Sequence, residues 1–534
     1  MSGNAIPPNT TDIPAAQVRA LLLSRDEVVI ADVREEAVYA QGHPLWAANF
    51  PLSRLELDAW RRIPRRDTPI VVYGDANAPT HQAIDVLRQL GYLRVHALLG
   101  GLDGWIASGG EIFQDVNVPS KAFGELVESI NHTPSLTAQR VQALIDSDKP
   151  PVIVDARRFD EFHTMSIPTA TSMPGAELVL RIRELAPDPA TPIVVNCAGR
   201  TRSIIGTQSL INAGLPNPVA ALRNGTIGWT LAGQQLDHGA TKTAPHTVAE
   251  SHHSLALAGA RTIGQRAGVR FIRTTDLPSL HRPDRTTYVF DVRSAAEFTS
   301  GHLDGSRHAP GGQLVQETDH YAPVRGARIV LVDDDGVRAA MTGSWLAQMG
   351  WDTWAISPAA PEDLTRQGEE PNPLPEPPPV DTVDPATLHT WLGANQPHTV
   401  VIDVAPSRDY TAGHIPGAWY AIRAQLRAAL GAIGPAARFV ITSPTGVQAH
   451  FAAAYLRQLT PAPVFILDGG TAAWRTAAPL ESDPARYAVD PTDRYRRPYE
   501  GTDNAKTAME AYLAWEFGLV EQLKRDGTHH FRVV

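Results

Sequence analysis

VIVDAR (152–157) is a short, continuously apolar run that closes on an aspartate, Asp155. It has three counterparts: VVIADVR (28–34) closing on Asp32, YVFDVR (288–293) on Asp291 and VVIDVA (400–405) on Asp403. Each reads as a buried strand, because alternation is lost when both faces of a strand are covered. A second apolar run follows each aspartate and ends in a Gly-rich or polar loop: IVVYGDANAPT (70–80), IVVNCAGRTRS (193–203), IVLVDDDGVRA (329–339) and FVITSPTGVQA (439–449). The aspartate stands 42 residues before the loop in three units (32 to 74, 155 to 197, 291 to 333) and 40 in the fourth (403 to 443). Chance does not hold that register, so the chain is an internal repeat.

A third landmark, Gly followed shortly by Trp, closes three units at Trp105, Trp229 and Trp474. The third unit reads WAISPAAPEDL at that place and lacks it. Between the strands lie helical patterns such as HQAIDVLRQLGY, SIIGTQSLINAG and HFAAAYLRQL, the first two ending on a capping Gly. Alternating strand and helix specify α/β units with mostly parallel sheets flanked by helices. Four of them fit 534 residues, a length too great for one core. The expected units are 1–118, 130–238, 262–366 and 381–484, followed by a tail at 485–534. Patterning lapses around 116–130, 238–255 and 366–384, and six prolines between 371 and 379 make the last an extended spacer. The tail carries one helix, capped by Thr502 or Asp503 and ended by Gly527, with Ala505, Met509, Tyr512, Leu519 and Leu523 near one stripe. Docking on its own chain or pairing in a homodimer both fit that stripe.

Charge and cysteine count exclude several classes. Lys plus Arg number 47 against 57 Asp plus Glu, a net charge of −10 that opposes nucleic acid and anionic membrane surfaces. A single cysteine, Cys197, forbids an internal disulfide and a thiolate-built zinc or iron–sulfur site. The pairs His252–His253 and His529–His530 lack a third ligand at metal spacing, so neither metal nor cofactor is expected. MSGNAIPPNTTDIPAAQ has no leader pattern and no stretch reaches a membrane-spanning length, so the expected compartment is the cytoplasm.

Chemistry concentrates in one loop, Cys197-Ala198-Gly199-Arg200-Thr201-Arg202-Ser203. A strand precedes it and a helix follows, which is where open α/β sheets bind ligands. Loop amides and the helix dipole favour an anion there, and Arg200 and Arg202 add charge, so the expectation is a thiolate at neutrality. The equivalent positions Gly74, Asp333 and Ser443 cannot form a persulfide, so the other three units read as silent.

The pattern of strand, Cys-x-Gly-Arg-Thr-Arg-Ser and helix resembles the active-site loop of the rhodanese (sulfurtransferase) family. Asp155 with Arg157, Glu161-Phe162, and Gly225-x-x-Gly228-Trp229 match further family landmarks. Gly-His-Ile-Pro-Gly-Ala survives at 413–418 and partly at 301–305, while the second unit has Met165-Ser166 in place of Gly-His. The resemblance covers nearly the whole chain. It implies four tandem rhodanese-like domains, one of them active, and a persulfide route in which Cys197 takes sulfur from a small anionic donor such as thiosulfate. The acceptor is cyanide or a thiol, such as glutathione or thioredoxin. The amides of Ala198 to Ser203 would stabilise the persulfide, Arg200 and Arg202 would hold the donor, and Arg181 is a candidate for the pocket rim. The recurring aspartates read as architectural, with Asp32 bonding Arg34 as the example. Two rivals stay open: a cysteine phosphatase or arsenate reductase, whose chemistry wants Arg where Ser203 stands, and a multi-domain binding scaffold with vestigial activity.

Overall fold

The structure is a computed structural model and describes residues 12–394 and 398–534. The first eleven residues, on which the absence of a leader was read, lie outside the described residues. Strands that are apolar on both faces need cover on both sides, and the described chain builds four α/β sheets of that kind. In the second, the order runs Ser135–Leu136, Val219–Leu222, Ile193–Asn196, Val152–Asp155, Thr171–Ser172, and every pairing is parallel. The other three sheets repeat that order, and Arg486–Tyr487 adds a sixth strand to the edge of the fourth. Register places Asp155 beside Asn196, so the aspartate and the residue before Cys197 finish at the same sheet edge.

The recurring aspartate ties that edge together. Asp155 Oδ1 accepts from the Arg157 amide at 3.0 Å and from its Nε at 2.9 Å, while Arg157 Nη2 reaches the Met165 carbonyl at 2.6 Å. Asp32 with Arg34 and Asp291 with Arg293 repeat the arrangement, their arginines reaching the carbonyls of Gly42 and Gly301. Met165 therefore supplies with its backbone what a glycine supplies in the sister units. In the fourth unit Ala405 replaces the arginine, and Asp403 Oδ2 is left buried without a hydrogen-bond partner.

Two of the expected connectors are helices. Residues 116–130 contain the helix Val118–Asn131, and 238–255 run into the helix Glu250–Ala267. The first buries Ala122, Phe123 and Val127 together with the polar Ser120, Lys121 and Glu125, so its contact surface does not read as an apolar stripe. The Pro-rich stretch 371–379 holds neither helix nor strand. One apolar core joins strands of the first and third units, including Val29, Val72, Phe290 and Leu331, with Phe123 of the connecting helix. Another joins Val195 and Leu210 of the second unit to Ala340 and Met341 of the third. Units that share a core cannot part without exposing it, at roughly 25 cal/mol per Å². The buried pair of Arg423 and Glu56 ties the fourth unit to the first.

The tail helix spans Lys506–Asp526, starts after Ala505 and ends on Gly527 at φ 67°. Thr502 and Asp503 lie upstream of it, where Asp503 instead pairs with Arg496. It docks on its own chain, burying Met509, Tyr512, Leu513, Leu519 and Leu523. Among the described residues no helix is long and apolar enough to cross a membrane.

Candidate active site around Cys197

Ile193–Asn196 delivers Cys197 to the carboxyl edge of the second sheet, and Thr201–Asn212 begins the helix that follows. Carbonyls of the intervening loop point away from the sulfur. Cys197 O accepts from the Thr226 amide at 2.9 Å, and Ala198 O accepts from the Ile227 amide at 3.1 Å and Thr226 Oγ1 at 3.0 Å. Gly225 makes this possible: at φ 53°, a Cβ there would stand 2.3 Å from Cys197 O and 2.7 Å from Gly199 O. Gly228 clears the Arg223 carbonyl in the same helix, and Trp229 is fully buried beneath it.

With these carbonyls occupied elsewhere, one loop amide meets the sulfur. The Ser203 N–H donates to the Cys197 sulfur, and the thiol donates to Ser203 Oγ at 3.3 Å, which in turn donates to the Arg200 carbonyl at 2.9 Å. This is an anion cradle at a helix N-terminus. Yet Cys197 is only 2% exposed, and burial pushes its thiol up against the pull of Arg202 and Ser203. The expectation of a thiolate at neutrality is therefore corrected: desolvation outweighs the cradle.

The arginines divide. Arg202 grips Glu161 with two bonds of 2.7 and 2.8 Å and, against the cost of burial, holds that carboxyl down at about 2. Arg200, expected to hold a donor, turns instead to the connecting helix and is buried there. It makes a bidentate pair with Glu125 at 2.7 and 2.9 Å, meets Glu128 and Asn224, and lies 4.2 Å from the Phe517 ring. Arg181, expected at the rim, is also corrected. It is buried against Glu177 and the carbonyls of Pro245 and His246, and it faces no cavity of the site. Thr201 packs on Gly124 of the connecting helix.

Beside the loop opens a cavity of about 580 Å³. Its walls carry Arg157, Arg158 and Arg202 from the second unit, Arg408 from the fourth, and Arg494, Arg496, Arg497 and Tyr499 from the tail, against Asp160, Glu161, Glu317 and Glu500. Over the loop itself sit residues the sequence reading missed: Lys121 and Glu125 from the connecting helix, Tyr512 and Glu516 from the tail helix. Lys121 Nζ bonds Asp115 at 2.8 Å and lies 5.1 Å from the Tyr512 ring. A signal for Glu516 existed, since it falls in register with Met509, Tyr512, Leu519 and Leu523 on the buried stripe. Among the described residues no cluster of His, Cys, Asp and Glu is placed to hold a metal.

A family model described as the rhodanese-like domain matches residues 15–108, 137–232, 277–357 and 384–477. The chain belongs to the rhodanese family. The crystal structure of the thiosulfate sulfurtransferase from Pseudomonas aeruginosa is 56% identical, covers 98% of this chain and all of that one, and superposes with a TM-score of 0.96. A curated sulfurtransferase from Allochromatium vinosum is 31% identical over 98 residues, 18% of this chain and 90% of its own length. The enzyme class is that of a rhodanese sulfurtransferase, on four rhodanese-like repeats.

Two of the three sister loops keep the rhodanese frame with other contents. In each of them the amide six residues on from the loop's first residue donates to its side chain: Ala339 to Asp333 at 2.8 Å and Ala449 to Ser443 at 3.3 Å, as Ser203 does to Cys197. In the first loop a Cβ at Gly74 would stand 1.9 Å from the Ala78 carbonyl, so that cradle has closed.

Proposed function

We propose that this enzyme moves a sulfane sulfur from a small anionic donor of the thiosulfate kind, through a Cys197 persulfide, to cyanide or a thiol acceptor, and that it does so in the cytoplasm. The observation that carries the reading is the cradle: a lone nucleophilic sulfur receives the Ser203 amide at a helix start, in the one loop of four that holds a thiol. The likeness to a thiosulfate sulfurtransferase over the whole chain supports the donor. So does the arginine-lined cavity at whose inner wall Arg202 stands, since guanidinium groups recognise sulfonate oxygens in forked pairs. A lone unpaired thiol suits a reducing compartment, and the resolving thiol then comes from the acceptor, glutathione or thioredoxin.

In chemical terms the ionised Cys197 sulfur attacks the outer sulfur of the donor, the donor S–S bond breaks, and sulfite leaves with the electron pair. The loop amides then face the persulfide anion. A phosphatase reading loses ground because neither loop arginine is directed at the sulfur: Arg200 turns to Glu125 and Arg202 to Glu161. Intact-protein mass spectrometry after thiosulfate treatment tests the proposal. One added sulfur atom, removed by cyanide and never acquired by Cys197→Ser, is the expected result; an unmodified wild-type protein refutes it.

A further inference from the structure

Glu516 is an anomaly in the tail helix. It is 0% exposed, its Oε1 accepts from Tyr512 OH at 2.8 Å, and its Oε2 has no hydrogen-bond partner. A buried carboxyl oxygen left without a partner is costly to keep. That oxygen faces the catalytic loop. A Cβ on Gly199 would lie 3.5 Å from Oε2 and 3.1 Å from the Tyr512 ring, so the tail helix packs closely against this glycine of the loop.

The surroundings are defined on every side. The connecting helix presents Lys121 and Glu125, the loop presents Cys197 and Arg200, and Tyr512 lies one turn back on the same helix. Tyr499 and Arg202 complete the outer ring. Burial, reinforced by Glu125 and opposed by Lys121, the Tyr512 hydroxyl and Arg200, pushes the Glu516 carboxyl up to about 8. Cys197 feels the Glu516 charge, which raises it further. A single proton lost from the two leaves one negative charge to rest on oxygen or on sulfur.

We propose that Glu516 is the proton partner of Cys197, taking the thiol proton as the sulfur attacks the donor and returning it when the sulfur has passed to the acceptor. The assignment rests on the persulfide reading above. Ser203 Oγ accepts the thiol's hydrogen bond at rest, but as a neutral hydroxyl whose own proton lies on the Arg200 carbonyl it is too weak a base to keep the thiol proton. In the first half-reaction the S–H bond breaks and an O–H bond forms on Glu516. The Cys197–sulfur bond forms as the donor S–S bond breaks, and sulfite departs with the electron pair. A neutral Glu516 then faces an anionic persulfide instead of repelling it. In the second half, cyanide takes the outer sulfur as thiocyanate, the Cys197 thiolate is released, and Glu516 returns its proton. Atoms and charge balance with no outside acid or base.

The test follows Cys197 by two routes across pH 6 to 10 in the full-length protein: loading by thiosulfate and alkylation by iodoacetamide. In the wild type both rates should rise through about 8, the Glu516 ionisation. In Glu516→Gln both should fall on the order of a hundredfold at neutrality and lose that limb, rising only at higher pH. A Glu516→Gln protein alkylated as fast as wild type, or faster, overturns the assignment, because the carboxylate would then only repel. Tyr512→Phe, which removes the bond favouring the ionised carboxylate, should move the limb to higher pH; an unmoved limb also overturns it. Alkylation needs no sulfur donor. A wild type that takes no sulfur but shows the Glu516 limb therefore refutes the persulfide reading alone.

Discussion

Loops 197–203 and 333–339 are two copies of one frame. In each, an arginine five residues after the first position reaches back to a glutamate: Arg202 to Glu161 at 2.7 Å and Arg338 to Glu297 at 2.8 Å. In each, the amide at the sixth position points at the first side chain. What differs is what fills the cradle. Asp333 brings a carboxyl that takes the amides of Gly336 and Ala339, while burial and the neighbouring Asp335 push it well above the usual carboxylate range, so its cradle is occupied before any ligand arrives. Cys197 brings a neutral thiol and leaves its cradle waiting for charge. The arginines diverge to match. Arg338 is shared among Glu297, Asp334, Asp335 and Glu177 of the second unit, whereas Arg202 has Glu161 and a cavity. The two loops differ in side chains and share one backbone frame.

Exchanging the contents of the two loops should break the comparison most sharply. Cys197→Ser should abolish sulfur uptake as read by intact mass. Adding Asp333→Cys to it should restore none, because Asp334, Asp335 and Glu297 repel an anionic donor; any sulfur gained at position 333 would show that the side chain alone decides. Next in size, Arg202→Ala should slow thiosulfate turnover on the order of a hundredfold, the usual cost of losing one electrostatic partner of a developing charge. Unchanged turnover would place the donor elsewhere. Gly225→Ala should reduce turnover several-fold and lower stability by roughly 1–3 kcal/mol in a thermal melt, since a Cβ at φ 53° meets the loop carbonyls. A variant melting with the wild type would show the contact relaxes freely.

The smallest effect on turnover belongs to Asp403, whose unit lacks the stapling arginine. Burial, against the Ala405 amide and Thr471, pushes its carboxyl up to about 7. The folded value lies above the unfolded one of about 3.9, so the protonated group's stabilisation is complete below about pH 4 and is lost as pH rises through 7. Over that window the loss is roughly 4 kcal/mol at most. Asp403→Asn should leave turnover unchanged and flatten this decline in denaturation midpoints between pH 5 and 8. A decline as steep as wild type would assign it to other carboxyls, Glu35 being the first to examine, since burial pushes it up to about 7 as well.

The repeat was legible because buried parallel strands leave a plain apolar mark, and the spacing from aspartate to loop survives where loop chemistry does not. Cys197 stood out for the same reason, as the one reactive group in four comparable loops. What surrounds it did not. The connecting helix meets two domains at once, so its contact face carries Ser120, Lys121 and Glu125, and the 3.6-residue pattern dissolves into what looks like a linker. Arg200 looked like a ligand for substrate because its partners, Glu125 and Glu128, lie 75 and 72 residues away in that unread helix. The thiol's protonation followed the same error: amides and arginines were visible in the loop, whereas the burial that outweighs them is set by tertiary packing, which loop sequence does not record.

That distance has a consequence for manufacture. Ribosomes release the cysteine loop long before they reach Glu516, so a nascent chain carries an uncapped nucleophile whose proposed proton partner is not yet made. On that proposal, sulfur traffic through this protein can begin in its final form only once the tail helix is made and docked, and a second domain cut out and grafted elsewhere would arrive without the piece that finishes it.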